Sequence, residues 1–386
     1  MLQTVNTLIK ALRLVRKENR DKMSKKRFDN LFDDVIDIKN MELAYSKSMK
    51  GTNKYSKDAI EFASNETYNI RELRQSLIDG TYEFTAYKRF KVYEPKERII
   101  DAPYHRDKVV QLAIDKILKR IYQPSFIYDT YACLDNKGSH KAVIRVSEFL
   151  AKADWEYTSE SYIIKLDISK FFYSVNREVL KGVLRKKLKC KRTLELIDKI
   201  IDSADQIDPL GVPLGNTLSQ IFTNIYMNEL DQYCKRVLRI KYYVRYADDV
   251  IAIVKNKSEA KLLLESMKYF LKTVLKLDAH PGKTQIFPLE QGVNAYGFKT
   301  YKTHRLLRND SKKKIKRKAK KMPNLIRRGR LTKEVAELML NSWHGHAMYG
   351  RSHNFIQSLK RRNKFIYQDA RGKLKIDEST IREDVN

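Results

Sequence analysis

The stretch Tyr243-Val244-Arg245-Tyr246-Ala247-Asp248-Asp249-Val250-Ile251-Ala252-Ile253-Val254 sets two adjacent carboxylates between two runs of β-branched and aromatic residues. Such runs read as strands, and the break at Ala247-Asp248-Asp249 reads as the tight connection between them. Neighbouring carboxylates repel, so a chain that presents two together commonly holds them with a cation. Oxygen ligands suit Mg²⁺, which binds through one or two carboxylates and keeps positions open for substrate phosphates. Most Asp-Asp pairs are solvated turn residues; the strand-turn-strand setting is what favours a metal here.

A third carboxylate strengthens that reading. In Tyr162-Ile163-Ile164-Lys165-Leu166-Asp167-Ile168 the alternation predicts a strand with Asp167 at its exit. Taken alone, Asp167 would simply end a strand. With Asp248 and Asp249 it gives the set required for two-metal phosphoryl transfer, in which two ions roughly 3.5–4 Å apart stabilise the attacking and leaving oxygens. Asp167 and Asp248 would bridge both ions, the Ile168 carbonyl would complete one shell, and Asp249 would act from the margin. Polymerisation of nucleotides is the expected chemistry.

Tyr246-Ala247-Asp248-Asp249 resembles the palm signature of reverse transcriptases. Further motifs follow in the family's order from about Leu73 to about Leu359. Arg98-Ile99-Ile100-Asp101-Ala102-Pro103 and Arg106-Asp107-Lys108-Val109-Val110-Gln111 resemble the fingers of bacterial reverse transcriptases. Thr130-Tyr131-Ala132-Cys133 with Lys137-Gly138-Ser139-His140-Lys141-Ala142 is similar to the next block. Where most of the family carries Gln-Gly-x-x-x-Ser-Pro, this chain has Leu214-Gly215-Asn216-Thr217-Leu218-Ser219-Gln220. That pattern is similar to the enzymes of diversity-generating retroelements, although Thr217 and Leu218 are exchanged relative to the usual order. Ser342-Trp343-His344-Gly345-His346-Ala347 and Thr303-His304-Arg305-Leu306-Leu307-Arg308 resemble the thumb of that group.

The resemblance implies an α+β right-hand polymerase: fingers, a palm with an antiparallel sheet backed by helices, and a helical thumb. Residues 1–60 would be a basic helical extension with a loop at Lys47–Lys57, and 61–160 the fingers, recurring at 190–212. The palm would take the rest of 161–300, the thumb 301–370, and a polar tail 371–386. Within the palm, the segment after Ser219 is expected to be a helix, since Phe222, Tyr226, Leu230, Tyr233 and Val237 recur at helical spacing. Ser258 is expected to cap a second helix with apolar Leu262, Leu263, Met267, Phe270 and Val274. These helices are expected on one face of the sheet.

By the same resemblance, Phe172 is the steric gate that selects deoxynucleotides; alone it would read as a core Phe beside Phe171. Arg98, with Lys96 and Lys91, would meet the triphosphate, Arg98 by planar bidentate contact. Leu214, Gly215, Ser219 and Gln220 would line the dNTP site. Lys283 aligns with the lysine that protonates pyrophosphate, a role requiring reach to its target. Tyr296-Gly297-Phe298 resembles the primer grip. Leu214 replaces an amide able to hydrogen-bond, and sites that hydrogen-bond their substrate discriminate better than apolar ones. Loosened base selection opposite template adenines is therefore expected; the plainer alternative is that Leu214 packs beneath the dNTP.

Composition agrees with a polyanion partner. The 386 residues carry a net charge of +31, with 78 basic and 47 acidic side chains and a hydrophobic fraction of 42%, ordinary for a globular chain. A lysine-rich soluble surface would give the same total, but the positive charge clusters. Lys312, Lys313, Lys314, Lys316, Arg317 and Lys318 form a basic run that Arg327 and Arg328 extend, the footprint of nucleic acid. Cys133, Cys190 and Cys234 lack metal-like spacing and read as buried or semi-buried thiols in a reducing cytoplasm. No apolar run reaches transmembrane length, and no membrane partner is expected.

The expected function is error-prone cDNA synthesis from a template-repeat RNA with a DNA or RNA primer, dNTPs and Mg²⁺, Mn²⁺ being a possible substitute. The family implies a small, basic, oligomeric accessory variability protein as partner. An antiphage defence or retron-type enzyme is the nearest rival. An intron-encoded enzyme ranks lower, because neither a maturase-like extension nor an endonuclease segment follows the thumb. A catalytically inert RNA-binding scaffold is disfavoured by the intact Asp167, Asp248 and Asp249.

Overall fold

The computed structural model describes residues 27–93, 97–157, 160–206 and 210–363, together with Ile366. Expectations for residues 1–26, for Lys96 and for the polar tail lie outside these residues.

The chain begins with α1 (Leu31–Ile36), α2 (Ile38–Ser48), α3 (Lys57–Ala63) and α4 (Glu66–Ile78), followed by the hairpin of β1 (Tyr87–Val92) and β2 (Arg98–Pro103). Then come α5 (His105–Tyr122), α6 (Ser139–Tyr157), β3 (Tyr162–Leu166), the single turn α7 (Phe171–Ser174), α8 (Arg177–Leu184) and α9 (Lys191–Asp202). The middle of the chain holds α10 (Thr217–Gln232), β4 (Tyr242–Tyr246), β5 (Asp249–Val254), α11 (Lys257–Phe270) and β6 (Gln285–Pro288). A small sheet of β7 (Val293–Ala295), β8 (Phe298–Thr300) and β9 (Arg305–Leu307) leads to α12 (Asn309–Arg327), α13 (Lys333–Ala347) and α14 (His353–Arg362).

The central sheet is antiparallel in the order β4-β5-β3-β6. Its alternation sends Tyr243, Val250, Ala252, Ile164 and Leu166 into one core with α5, α10 and α11. Tyr242, Val244, Ile251, Ile253 and Ile163 pack on the other face against Val146, Phe149, Leu150 and Ala153 of α6. Helices α10 and α11 thus share one face, as expected, while α6 covers the other, which is why β4 and β5 are apolar on both sides. Each large apolar side chain buried this way contributes roughly 1.5–3 kcal/mol. The architecture is the α+β right-hand polymerase fold.

Three local expectations are corrected. Helix α10 begins at Thr217, not after Ser219, because Asn216 caps it by accepting the Leu218 N–H at 2.8 Å. Asn256, not Ser258, caps α11, accepting the Glu259 N–H at 2.9 Å. That start turns Leu262 outward and buries Ala260, Leu264, Met267 and Leu271. Residues 31–48 are no separate extension: Leu31, Phe32, Val35, Met41, Ala44 and Tyr45 join the main core beside α5. In a separate C-terminal cluster, Ile315, Ala319 and Met322 of α12 meet Ala336, Leu340 and Leu359, so the lysines of α12 are left on its outer side.

Candidate active site

Tyr246 pairs with Asp249, closing a hairpin whose two turn residues are Ala247 and Asp248. Ala247 takes the left-handed conformation, φ 54°. Since Leu166 pairs with Val250, Asp167 follows β3 at the position next to Asp249 across the ladder. The carbonyl of Asp167 accepts the His280 N–H at 2.7 Å, and the Ser169 N–H donates to Asp278 at 3.0 Å. These bonds flank an isolated bridge between Ile168 and Ala279 and leave the Ile168 carbonyl out of that ladder. The strand register therefore brings Asp167 to the Asp248-Asp249 turn.

Electrostatics reflect this crowding. Burial, then the Asp249 and Asp167 charges, push the Asp248 carboxyl up to about 6. Burial also raises Asp249, with Asp167 adding to it and Lys165 opposing. The Lys165 ammonium stands 3.9 Å from Asp249 Oδ1, an ion pair too long for a hydrogen bond. That buried oxygen has no hydrogen-bond partner among the described residues. Lys283 Nζ lies 3.0 Å from Asp167 Oδ1.

The donor set fits a hard divalent cation: two crowded carboxylates held above their ordinary range, the Asp167 carboxylate next to them, one oxygen orphaned, and the carbonyl of the following residue, Ile168. The fit is not a finished cage. Among the described residues no three acidic, His or Cys side chains stand together as a ready-made metal site. Lys283 supplies the positive charge at Asp167.

Loop 211–220 meets the β1–β2 hairpin and leads into α10. Leu214, half-buried, accepts the Asp101 N–H at 2.6 Å through its carbonyl, leaving its side chain out of that bond. Gly215 has φ +107°, and a Cβ there would lie 2.7 Å from Ile100 Cγ2. Arg98 is exposed and shares the β1–β2 face of Ile100, so it stands on the side of Gly215; Lys91 instead pairs with Glu97 at 2.8 Å. Half-buried Phe172 meets Phe171 edge-on, and its carbonyl accepts the Val212 N–H at 2.7 Å. Gln220 is exposed, whereas Ser219 is buried and donates to the Pro213 carbonyl at 2.7 Å. Ser219 thus holds the loop from beneath and is not presented to a nucleotide.

Tyr296 and Gly297 form a two-residue hairpin turn with φ 51° and 92°, the geometry of a type I′ connection. The Tyr296 ring sits 5.2 Å from that of Tyr246, coupling this turn to the acidic hairpin. Phe298 is fully buried against His346, Leu307 and Ala347, a core residue rather than a surface that touches a primer. His346 Nδ1 stands 2.9 Å from His140 Nε2, joining α13 to α6.

Of the basic run, Lys313, Lys314, Lys316, Arg317, Lys318, Arg327 and Arg328 are exposed and Lys312 is half-buried. Lys299, Arg308 and Lys312 line an open cleft between the small sheet and α12. Cys133 is exposed, contrary to expectation, while Cys190 and Cys234 are buried free thiols. Among the described residues no helix is long and apolar enough to cross a membrane.

Sequence reasoning passed over the fully buried ion pair of Arg245 with Asp231, 2.7 Å apart beneath the acidic turn. A charged residue inside an apolar strand is the signal that would have found it.

The reverse transcriptase (RNA-dependent DNA polymerase) family model matches residues 91–316. The chain is 24% identical over 338 residues to the putative COX1/OXI3 intron 2 protein of Saccharomyces cerevisiae, covering 68% of this chain and 38% of that one. It is 28% identical over 286 residues to protein YkfC of Escherichia coli, covering 63% and 72%. Against the group II intron-encoded protein LtrA of Lactococcus lactis it is 24% identical over 326 residues, covering 66% and 53%. The match therefore spans well under two thirds of the yeast and lactococcal proteins. A solved apo telomerase from Candida tropicalis aligns at 14% identity with a TM-score of 0.43, covering 61% of this chain and 52% of that one. With more than half of its residues under one family model, this chain belongs to the reverse transcriptase family of RNA-dependent DNA polymerases.

Proposed function

We propose that the chain copies an RNA template into DNA by two-metal nucleotidyl transfer, as the mutagenic polymerase of a diversity-generating retroelement. The observation that carries the chemistry is the convergence of Asp167 on the Asp248-Asp249 turn. Asp167, Asp248, Asp249 and the Ile168 carbonyl would hold Mg²⁺. When bound, the ions supply charge stabilisation to the entering 3′-oxygen and the departing pyrophosphate.

The chain's own groups do the rest. Arg98 binds and orients the triphosphate. Phe172, wedged over the 211–213 backbone, excludes a 2′-hydroxyl. Lys283 holds a proton at Nζ that it donates to Asp167 in the free protein and can pass to the departing pyrophosphate oxygen. Tyr296 and Gly297 orient the primer end, and the outer face of α12 follows the nucleic-acid backbone.

Leu214 and the rest of its loop support the retroelement assignment, because an apolar side chain there cannot orient a templating base by hydrogen bonds. A basic accessory protein is the partner this reading requires. A retron-type or defence enzyme is the second reading, with which likeness to the bacterial protein YkfC is compatible. Primer extension on poly(rA)–oligo(dT) with Mg²⁺ tests the chemistry, with Asp248→Ala as control. A flanking pair of near-identical repeats differing at adenines tests the assignment; a gene without them points to the second reading.

A further inference from the structure

We propose that Arg245 and Asp231 form a brace that sets the backbone of the Ala247-Asp248 turn, so that the rate of nucleotide transfer depends on them more than substrate binding does. The inference rests on the polymerase reading above. Both side chains are completely buried. Arg245 Nε lies 2.8 and 2.9 Å from the two Asp231 oxygens, and Nη2 lies 2.7 Å from Oδ2. Tyr243 and Thr130 donate to the same carboxylate at 2.8 and 3.0 Å.

Asp231 alone neutralises the guanidinium, yet Nη1 reaches further. It donates to Asn224 Oδ1 and to the carbonyl of Ala247, both at 3.1 Å. Ala247 is the residue at φ 54°, a conformation that L side chains avoid. An apolar pair could fill the same space without loss of stability, but it could not hold that carbonyl. Arg245 is itself pinned, its N–H donating to Asp129 at 2.9 Å and its carbonyl accepting from Tyr131 at 3.0 Å. The brace thus runs from α10 through a fixed strand into the turn that carries Asp248 and Asp249. Arg245 is a positioning residue, since it acts on the reaction through Ala247.

The test is Arg245→Lys in the full chain, which keeps the charge but not the fork that serves Asp231 and Ala247 together. Misplacing a reacting group by a fraction of an ångström predicts a fall in kcat of about 10- to 100-fold. The KM for dNTP and the template–primer Kd should move by no more than about twofold, as for an interaction made only in the transition state. Adding Ala247→Gly, which adopts positive φ without steric cost, should recover much of the lost kcat. If Arg245→Lys does not fold, Arg245→Gln with Asp231→Asn removes both charges together and is read the same way. An unchanged kcat, a loss matching the unfolded fraction, or no recovery with Ala247→Gly overturns the brace. A wild-type chain that fails to extend a primer overturns the polymerase reading instead.

Discussion

The ammonium of Lys283 stands 3.0 Å from Oδ1 of Asp167, bringing the only cation seen on that carboxylate among the described residues into the acidic centre. It is about half exposed, so it can turn from Asp167 towards a bound phosphate. Lys283→Ala should lower kcat for single-nucleotide addition by about 100-fold, the scale of a general acid's contribution, with dNTP KM nearly unchanged. Lys283→Arg should fall between the two. A raised KM at full kcat would assign Lys283 to binding instead.

Leu214 is fixed by its backbone: the Asp101 N–H donates to its carbonyl while its side chain is uncommitted. Leu214→Gln should therefore leave the bond to Asp101 intact and add an amide to the proposed dNTP site. Misincorporation opposite adenine should drop by about tenfold, the lower end of what a hydrogen-bonding site gains over an apolar one. Sequencing cDNA made on an adenine-rich RNA reads this directly. Equal error at adenines in both proteins would sink the role given to Leu214.

Gly211 lies against the backbone of Phe172, the proposed sugar gate. Its φ is +89°, and a Cβ there would lie 2.6 Å from the Phe172 carbonyl and from Tyr173 Cα. Both obstacles are backbone, so relief requires moving α7. Gly211→Ala should cost about 1–3 kcal/mol of stability, as strained backbone does, and should raise ribonucleotide incorporation by displacing Phe172. Phe172→Val should raise that incorporation further, its own stability loss coming from lost packing on the core and Phe171 rather than from strained backbone. Competing rNTP against dNTP on one primer, with melting curves alongside, separates the two. Strict sugar selection in Phe172→Val would remove Phe172 from the gate.

Much of this was legible in the sequence because the informative elements are strands with two-residue periodicity ending in acids. The Tyr162–Asp167 and Tyr243–Val254 patterns show the hairpin and the strand that ends in Asp167; the pairing of Leu166 with Val250, which brings the acids together, is set by the folded sheet. Helix phase was harder. The three consecutive leucines at 262–264 permit several faces, and the choice was made by Asn256 as cap and by packing against the sheet. Phe298 and Ser219 were assigned to substrate because a motif records order along the chain, whereas burial depends on elements distant in sequence. His346 and Leu307 enclose Phe298, and Pro213 takes the Ser219 hydroxyl. Arg245 was hidden for the same reason: its partner Asp231 sits in a helix read only for its apolar stripe.

Two buried histidines set an acid limit on stability. Burial holds His105 and His344 down at about 4, with Lys108 and Lys360 pushing the same way. Asp58 opposes this at His105, and the Ser48 hydroxyl meets its Nε2 at 3.1 Å. Their unfolded counterparts titrate near 6.5. Between these values the unfolded chain binds more protons, so stability is full above about 6.5, declines as pH falls towards 4, and levels off below it. Each group contributes up to about 3 kcal/mol over that window. Urea midpoints at pH 7 and pH 5 should differ, and His105→Gln should reduce the difference. Identical pH dependence in His105→Gln and the parent would exclude His105 as a source.

Helix α12 separates its chemistry cleanly between two faces. Ile315, Ala319 and Met322 are buried against α13 and α14, while Lys313, Lys314 and Arg317 are exposed on the other side. Replacing these three with alanine removes charge without opening the core and keeps good helix formers. If they contact phosphates, each releases counterions, and the slope of log affinity against log salt should fall by about 2–3 for the triple variant. Template–primer binding across a salt series measures this, and kcat at saturating template should hold near the parent value, since none of the three reaches the acidic turn. Weaker binding with an unchanged slope would mean that the loss came from thumb packing and that this face does not follow the nucleic-acid backbone.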